Sequence, residues 1–350
     1  MEQRPFGSTG ISVSALGFGC GAVGGLLVRG DADEQRRAVS RALDAGITYF
    51  DTAAQYGDGR SEEHLGRVMR ELGAWSRVVV GTKVRLGPQD LSSPETAIRA
   101  SLEASLRRLG RRDVEVFHLH NPIGLTRSDA DSLDMATALG SVARGLEAAR
   151  QAGLARHIGF TGLGDSAALR EVVRAEPYET VQAYFNVLNP SAGFTGHSGG
   201  QQDFEGLIDT AALAGRGVIV IRVLAAGAAA AEPVRAPNAG DPGRGLVSGG
   251  SYAADLERAS RLRDLAVELG LEGPVELALR FGLSKPGVST VLVGYSSLTH
   301  LEDAIRYAER GPLTTDAISR VLELVPGSGF RVNPTPINAE RGTRNPEPGT

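Results

Sequence analysis

Cysteine, lysine and long apolar runs are scarce in this 350-residue sequence. Its single cysteine, Cys20, excludes an internal disulfide framework, because a disulfide needs two thiols. No apolar run approaches the roughly 20 residues that a membrane-spanning helix needs. The first ten residues, MEQRPFGSTG, contain no apolar segment behind a basic start. We therefore expect a cytoplasmic protein that does not enter a membrane.

An excess of positive charge is also lacking. The chain has 37 basic and 41 acidic residues, which gives a net charge of -4. Such a balance provides no basic surface for a phosphate backbone, so nucleic acid is not an expected partner. The composition leaves the oligomeric state open.

Lysine is so rare that each one suggests a specific role. Of the 37 basic residues only Lys83 and Lys285 are lysines, and the others are arginines. Arginine keeps its proton and has a planar fork, whereas lysine is a compact charge whose pKa can be shifted. A lysine at the end of a strand is therefore a candidate site residue.

One unit of sequence recurs along the chain: an amphipathic segment, a glycine, a few residues and a short apolar or β-branched run. The glycine is typical of the left-handed position after a helix, and the run is typical of a strand buried on both faces. The clearest examples are RALDAGITYFD, MRELGAWSRVVVGTK, SLRRLGRRDVEVFHLH, AARQAGLARHIGFTG, TAALAGRGVIVIR and SKPGVSTVLVG. With further strands near 14–18 and 180–185, the pattern predicts an α/β fold, a closed (β/α)8 TIM barrel in a single domain.

The remaining segments set the expected boundaries. We predict a short N-terminal β-hairpin over residues 1–13 that covers the N-terminal end of the barrel, the barrel itself over 14–325, and a C-terminal tail over 326–350. Two loop-like stretches, 189–202 and 232–251, follow strand ends, where barrel loops carry function. Ser93, followed by Pro94, predicts the N-cap of a helix.

Polar side chains end several of the predicted strands, and in a barrel all these ends meet at one face. The strand-end residues are Asp51, Lys83, His120, Thr161, Gln182, Arg222 and Gly294. Asp51 is expected to pair with the Lys83 ammonium. That cation would lower the pKa of the Tyr56 phenol from about 10 and make Tyr56 a general acid. His120 could donate a hydrogen bond to a substrate oxygen.

None of these side chains can supply a hydride, so carbonyl reduction would require a nicotinamide cofactor on the same face. Two other interpretations remain open from the residues alone. Residues 19–24 fit the G-x-G-x-x-G pattern of a Rossmann fold, although the next helical pattern begins only near Asp33. His118 and His120 could instead bind zinc with Asp51, as in a barrel hydrolase.

Seven segments resemble, in order and spacing, the aldo-keto reductase family: ALGFGCGAVGG, AGITYFDTAAQYGDGRSEEHLG, VVVGTK, VEVFHLHNP, ARHIGFTG, VQAYFN and GVSTVLVG. The resemblance runs from about residue 4 to about residue 310. It implies a (β/α)8 barrel that binds NADPH, or less often NADH, and interconverts an aldehyde or ketone and an alcohol. The family's catalytic tetrad carries over onto Asp51, Tyr56, Lys83 and His120, with Tyr56 as the proton donor.

The resemblance also implies cofactor-binding positions, some of which depart from the family's usual residues. Thr161-Gly162 stand where most members have Ser-Asn for the carboxamide, and Gln182 matches the second carboxamide ligand. Arg222 stands near the usual nicotinamide-stacking tyrosine. Ser296 replaces the arginine that commonly holds the 2′-phosphate, which argues against a preference for NADPH. Because the family as a whole uses NADPH more often, NADPH is expected and NADH is possible. The full set is Gly21, Asp51, Thr161, Gly162, Gln182, Arg222, Val223, Leu224, Gly294, Ser296, Ser297 and His300.

A barrel of this kind could also be a non-catalytic subunit that senses nucleotide. Loss of catalysis would more readily have left Tyr56 or Lys83 substituted, whereas all four tetrad positions are filled. We therefore expect an enzyme with a small carbonyl or alcohol substrate, whose identity depends on the loops at the barrel mouth.

Overall fold

The computed structural model describes residues 1–242, 247 and 249–325, and the predicted tail 326–350 lies outside the described residues. The strands are β1 (Gln3–Pro5), β2 (Ser12–Ser14), β3 (Leu16–Gly19), β4 (Tyr49–Asp51), β5 (Val79–Val84), β6 (Val114–Leu119), β7 (Ile123–Gly124), β8 (Leu133–Asp134), β9 (Ala155–Gly162), β10 (Thr180–Tyr184), β11 (Gly217–Ile221) and β12 (Thr290–Gly294).

The helices in the same part of the chain are α1 (Leu26–Arg29), α2 (Ala32–Asp44), α3 (Arg60–Glu71), α4 (Pro94–Leu109), α5 (Met135–Thr137), α6 (Ala143–Gln151), α7 (Ser166–Arg174), α8 (Leu207–Leu213), α9 (Tyr252–Glu268), α10 (Pro274–Ser284), α11 (Leu298–Glu309) and α12 (Thr315–Leu324). A π-helix spans Ala138–Val142, and short 3-10 helices span Trp75–Arg77, Pro88–Ser92 and Ala225–Ala230. None of the helices described is both long and apolar enough to cross a membrane.

Eight parallel strands form a closed barrel, which confirms the predicted fold class. Strands β3, β4, β5, β6, β9, β10, β11 and β12 follow one another around the barrel, and β12 pairs with β3 to close it. Because a Rossmann sheet is open, this closure excludes the Rossmann interpretation of residues 19–24.

The glycine of each recurring unit has the backbone conformation that the sequence predicted. A residue with positive φ after a helix turns the chain back towards the next strand. Glycine adopts this left-handed conformation with little steric strain because it has no Cβ atom. All six have φ between 59° and 85°: Gly46, Gly73, Gly110, Gly153, Gly215 and Gly287. These six glycines therefore end their helices as predicted.

The N-terminal hairpin covers one end of the barrel, as predicted. Strands β1 and β2 pair antiparallel, and Phe6 and Val13 are fully buried in a cluster with Tyr49 inside the barrel. The Phe6 ring lies 5.7 Å from the Tyr49 ring and also contacts Gly217 at the start of β11. The hairpin thus fills the N-terminal end and leaves the opposite end for the site.

Side-chain caps fix the start of several helices. Asp31 accepts a hydrogen bond from the backbone of Glu34 at the start of α2, and Ser297 does the same for His300 at α11. Ser93 is the N-cap residue of α4, as predicted, although its side chain makes no capping hydrogen bond. Pro94 lacks a donor of its own and starts the helix with its fixed φ.

Candidate active site

Asp51 and Lys83 lie next to each other at the C-terminal ends of the adjacent strands β4 and β5. Asp51 is the last residue of β4 and pairs with Gly81 of β5, while Lys83 lies two residues further along β5. Residues two apart in a strand face the same side, so Lys83 points into the barrel just beyond Asp51. Both side chains are about 1% exposed.

The Lys83 ammonium is the centre of the site. It donates to the Asp51 carboxylate, to the Thr52 carbonyl at 2.7 Å and to the Tyr56 hydroxyl at 3.1 Å. All three of its protons therefore have acceptors, and the charge is paired where water cannot reach it. Tyr56 is held over the ammonium, whose nitrogen lies 4.6 Å from the ring centroid.

His120 completes the group of four. It follows β6, and its backbone N–H donates to the Val84 carbonyl at 2.7 Å. Its ring lies edge-on to the Tyr56 ring at 5.9 Å, and its Nδ1 contacts the Gln55 Oε1 at 3.0 Å. The four residues that the sequence selected are thus brought together around one phenol.

A second set of hydrogen bonds, which the sequence did not indicate, holds the other Asp51 oxygen. Gln182 Nε2 donates to Asp51 Oδ2 at 2.7 Å, and Tyr49 donates to the same oxygen at 3.4 Å. Thr161 in turn donates to Gln182 Oε1 at 3.1 Å. Tyr49 shares a face with Asp51 in β4, a spacing that could have revealed it. The Gln182 contact depends on the closure of the barrel.

Burial and charge pairing act in opposite directions on the ion pair. Burial raises the pKa of the Asp51 carboxyl above its ordinary value, although Lys83 opposes this effect. Burial would lower the pKa of Lys83, but the Asp51 carboxylate beside it raises that pKa above 10.5 overall. Lys83 is therefore a permanent cation at neutral pH.

The expected lowering of the Tyr56 pKa is wrong. Burial raises the pKa of the phenol above 10, and the nearby Lys83 ammonium only partly offsets that effect. Desolvation disfavours the charged phenolate more than one paired cation favours it. Tyr56 is accordingly protonated throughout the neutral range, which is the form that a proton donor needs.

His118, within β6, and His120, just after β6, have different environments. Burial and the Lys83 charge hold the pKa of His120 well below 6.5, so its ring is neutral. His118 lies deeper in the barrel, where its Nε2 contacts the Thr180 hydroxyl at 2.8 Å and burial lowers its pKa to about 3. The described residues contain no group of three metal-ligating side chains, so the zinc interpretation lacks a ligand set.

Most of the predicted cofactor residues fall into two groups at the C-terminal end of the barrel. Thr161, Gly162 and Gln182 lie next to Asp51 on β9 and β10. Gly294 ends β12, and Ser296 and Ser297 lead into α11, where His300 lies in the first turn. Gly21 lies between these groups, where an added methyl would come 3.7 Å from the Tyr56 ring.

Arg222 lies at the end of β11 in a conformation unusual for a residue with a side chain. Its φ is 59°, and Val223 and Leu224 follow it towards the 3-10 helix. Its guanidinium donates to the Pro242 carbonyl at 3.1 Å, and its charge acts on the phenol of Tyr56. This contact ties the end of the strand to the following loop.

Two further arginines, which the sequence did not single out, hold the same loop. Arg29 donates to the Asn238 carbonyl at 2.9 Å and to the Ala22 carbonyl, and Arg235 donates to the Gly240 carbonyl at 2.8 Å. Asn238 also donates to the Ser296 carbonyl at 3.1 Å. Within the described ranges neither arginine forms an ion pair, and the Glu34 carboxylate lies at the same loop, where it accepts a hydrogen bond from Asn238 at 3.0 Å.

A separate cleft of about 490 Å³ lies near the N-terminal ends of β6 and β9. Asp113, Arg150 and Arg156 contribute to its lining. Arg150 is paired with Glu147 at 2.7 Å and Arg156 with Asp113 at 3.2 Å, so these charges are already satisfied. The cleft is remote from the tetrad, and we assign the site to the opposite end.

Comparisons with known proteins agree with this geometry. Residues 15–326 match the sequence model of the aldo/keto reductase family. The L-glyceraldehyde 3-phosphate reductase of Escherichia coli O157:H7 is 27% identical over 344 residues, covering 92% of this chain and 91% of that protein. The L-galactose dehydrogenase of Arabidopsis thaliana is 26% identical over 306 residues, covering 87% of each chain.

A solved structure shares the fold. Aldo-keto reductase AKR11C1 from Bacillus halodurans, in its holo form, superimposes with a TM-score of 0.71 at 22% identity, covering 94% of this chain and 98% of that one. The match of the family model over most of the length, together with the barrel, leads to one assignment. This chain belongs to the aldo/keto reductase family and is an oxidoreductase.

Proposed function

We propose that the protein interconverts a carbonyl compound, an aldehyde or ketone, and its alcohol with NAD(P)H as the cofactor. The observation that carries the proposal is the buried Lys83 ammonium, which contacts the Asp51 carboxylate and the Tyr56 hydroxyl at 3.1 Å. The Tyr56 phenol can donate a proton, and the Lys83 ammonium beside it would stabilise the phenolate that remains.

The proton donor in this proposal is Tyr56. Burial keeps its phenol protonated at neutral pH. When the substrate oxygen gains negative charge, the phenol gives up its proton to that oxygen. The phenolate left behind is stabilised by the Lys83 ammonium, and Asp51 keeps Lys83 charged and in position. The nicotinamide cofactor, when bound, supplies the hydride.

His120 orients the substrate oxygen in this proposal. Because its ring is neutral, only one of its two nitrogens carries a proton. The Gln55 amide beside Nδ1 can accept a hydrogen bond from Nδ1–H through its oxygen, or, with the amide turned over, donate a hydrogen bond to Nδ1 through its NH2 group. The second arrangement leaves the proton on Nε2, which can then donate a hydrogen bond to a carbonyl oxygen.

The residues present fit a dinucleotide. Thr161 and Gln182 provide a hydroxyl and an amide beside the tetrad, suited to a carboxamide. The N-terminus of α11, capped by Ser297, is suited to phosphate. Arg29 and Arg235, which donate to backbone carbonyls nearby, add the positive charge that a pyrophosphate requires.

Cofactor binding is the first test of the proposed function. Titration of the purified protein with NADPH and, separately, with NADH should show saturable quenching or enhancement of fluorescence for at least one of them. We expect NADPH to bind more tightly, because Arg29 and Arg235 contact the loop that contacts Ser296 and can bind one more phosphate, although the Glu34 carboxylate at the same loop opposes it. Absence of saturable binding for both nucleotides would contradict the proposal.

The pH profile of reduction is a second test. Neither His120, with a pKa well below 6.5, nor Tyr56, with a pKa above 10, changes its charge between these limits. Reduction needs protonated Tyr56, so activity is present below the phenol's pKa and lost as the pH rises through it. We expect kcat/KM to be flat between about pH 7 and 9. An inflection near neutrality that disappears in His120→Gln would show instead that His120 titrates.

A further inference from the structure

Arg85 lies at the barrel mouth directly beyond the tetrad, in a position that the proposed mechanism does not use. It is two residues after Lys83, just beyond the end of β5 at Val84, and its side chain is 32% exposed. Its Nη2 donates to the His120 carbonyl at 3.5 Å. Asn121 fixes the backbone here through hydrogen bonds of 2.8 Å to both the N–H and the carbonyl of Leu86.

The charge of Arg85 is poorly neutralised. Its one ion pair within the described residues is with Asp131 at 3.9 Å, and the Asp131 side chain is 68% exposed. A pair that is so long and so exposed contributes little. Arg108, another part-buried arginine, has a much closer partner, Glu62 at 2.6 Å. The Nε of Arg85 is buried and has no hydrogen-bond partner in the described structure.

The residues around Arg85 leave this charge uncancelled. Asp51 and Lys83 neutralise each other, His120 is neutral and Tyr56 is protonated. Burial and the Lys83 charge are the larger causes of the low pKa of His120, and the positive charge of Arg85, whose Nη2 lies 3.5 Å from the His120 carbonyl, adds to them. The mouth of the barrel is therefore positive where a substrate would approach.

We propose that the substrate is an anionic carbonyl compound and that Arg85 binds its carboxylate or phosphate group. This inference rests on the proposed function and names its substrate class. A guanidinium has a planar fork that donates two parallel hydrogen bonds to either oxyanion. An anion at this place would accept hydrogen bonds from the two Nη groups, in place of their long contacts to Asp131 and the His120 carbonyl, and would neutralise the positive charge of the mouth.

Matched substrate pairs test the proposal. We expect kcat/KM to be about 10- to 100-fold higher for 4-carboxybenzaldehyde than for methyl 4-formylbenzoate, its neutral ester, or for glyceraldehyde 3-phosphate than for glyceraldehyde. The pair with the larger ratio identifies carboxylate or phosphate as the preferred group. The preference should fall as KCl is added, because salt screens the attraction.

Variants of Arg85 test whether this side chain causes the preference for the anionic substrate of each pair. Arg85→Gln should abolish the preference through a higher KM for the anionic member and change kcat/KM for the neutral member less than about threefold. Arg85→Lys, which keeps the charge, should restore part of the preference. Arg99→Gln, which removes an exposed arginine of α4 paired with Glu103, should change neither.

The outcomes separate this inference from the proposed function. Equal activity on neutral and anionic members, or an equal loss on both in Arg85→Gln, would overturn the role of Arg85 while carbonyl reduction stands. Reduction of none of the four compounds by a protein that also fails to bind NADPH and NADH would overturn both proposals.

Discussion

Replacing Tyr56 with phenylalanine should lower kcat for carbonyl reduction by about 10²- to 10⁴-fold. The substitution removes the hydroxyl that lies 3.1 Å from the Lys83 ammonium and leaves the ring in place. Among the described residues, the Tyr56 hydroxyl is the one hydroxyl that contacts the Lys83 ammonium, so the variant loses the proton held between Lys83 and His120. Steady-state kinetics at saturating cofactor would measure the loss, and fluorescence titration should give a cofactor Kd within about threefold of the wild-type value.

Tyr178→Phe is the matched control. Its hydroxyl donates to the Ala138 carbonyl at 2.7 Å, outside the site, and its ring packs 5.2 Å from that of Phe160. Loss of that hydrogen bond should lower the free energy of unfolding by about 1 kcal/mol and leave kcat unchanged. If Tyr56→Phe kept a kcat close to that of Tyr178→Phe, Tyr56 would not be the proton donor.

Replacing Lys83 with methionine should both abolish activity and destabilise the fold. The Asp51 carboxylate, about 1% exposed, would keep only the donors of Gln182 and Tyr49 and would face no cation. Removing one partner of a buried pair costs about 3 to 5 kcal/mol, because the remaining charge is uncompensated. The midpoint of urea unfolding at pH 7 would measure the loss.

The pH dependence of this loss has a defined sign. Without Lys83 the main influence that lowers the Asp51 pKa is gone, so burial raises that pKa further above 3.8. A carboxyl whose folded pKa is raised destabilises the fold as the pH rises above its unfolded value. The difference in stability between Lys83→Met and wild type should therefore be larger at pH 8 than at pH 5.

Two further variants isolate the buried charge. Asp51→Asn combined with Lys83→Met removes both charges and should recover most of the lost stability without any activity. Lys285→Met removes the only other lysine, which pairs at 2.7 Å with the half-exposed Asp209, and should cost about 1 kcal/mol or less. A double variant no more stable than Lys83→Met would contradict the account of the ion pair.

The proximity of Asp51, Tyr56, Lys83 and His120 could be predicted from sequence because it follows mainly from the barrel topology. Once the recurring units indicate parallel strands, the carboxyl ends of those strands must share one face, and Asp51, Lys83 and His120 each stand at or just beyond such an end. Tyr56 follows in the loop after the strand. No knowledge of side-chain contacts was needed to group these residues.

The environment of the same residues could not be predicted in this way. The sequence suggested that Lys83 would lower the Tyr56 pKa, yet burial raises it, and the degree of burial follows from packing around the barrel mouth. The hydrogen bond from Gln182 to Asp51 joins residues 131 positions apart in the chain. Only closure of the sheet brings these two strands within reach of each other.

The sequence alone determined the α/β barrel, its family and the residues that end its strands. Glycine positions and apolar runs are local features of the chain, and the order of parallel strands fixes where the strand-end residues lie in the barrel. The tertiary structure alone decided which charges remain unpaired: it cancels Lys83 against Asp51, neutralises His120 and leaves Arg85 with a distant, exposed carboxylate. Electrostatic energy depends on distance and burial, and both are set only when the barrel closes.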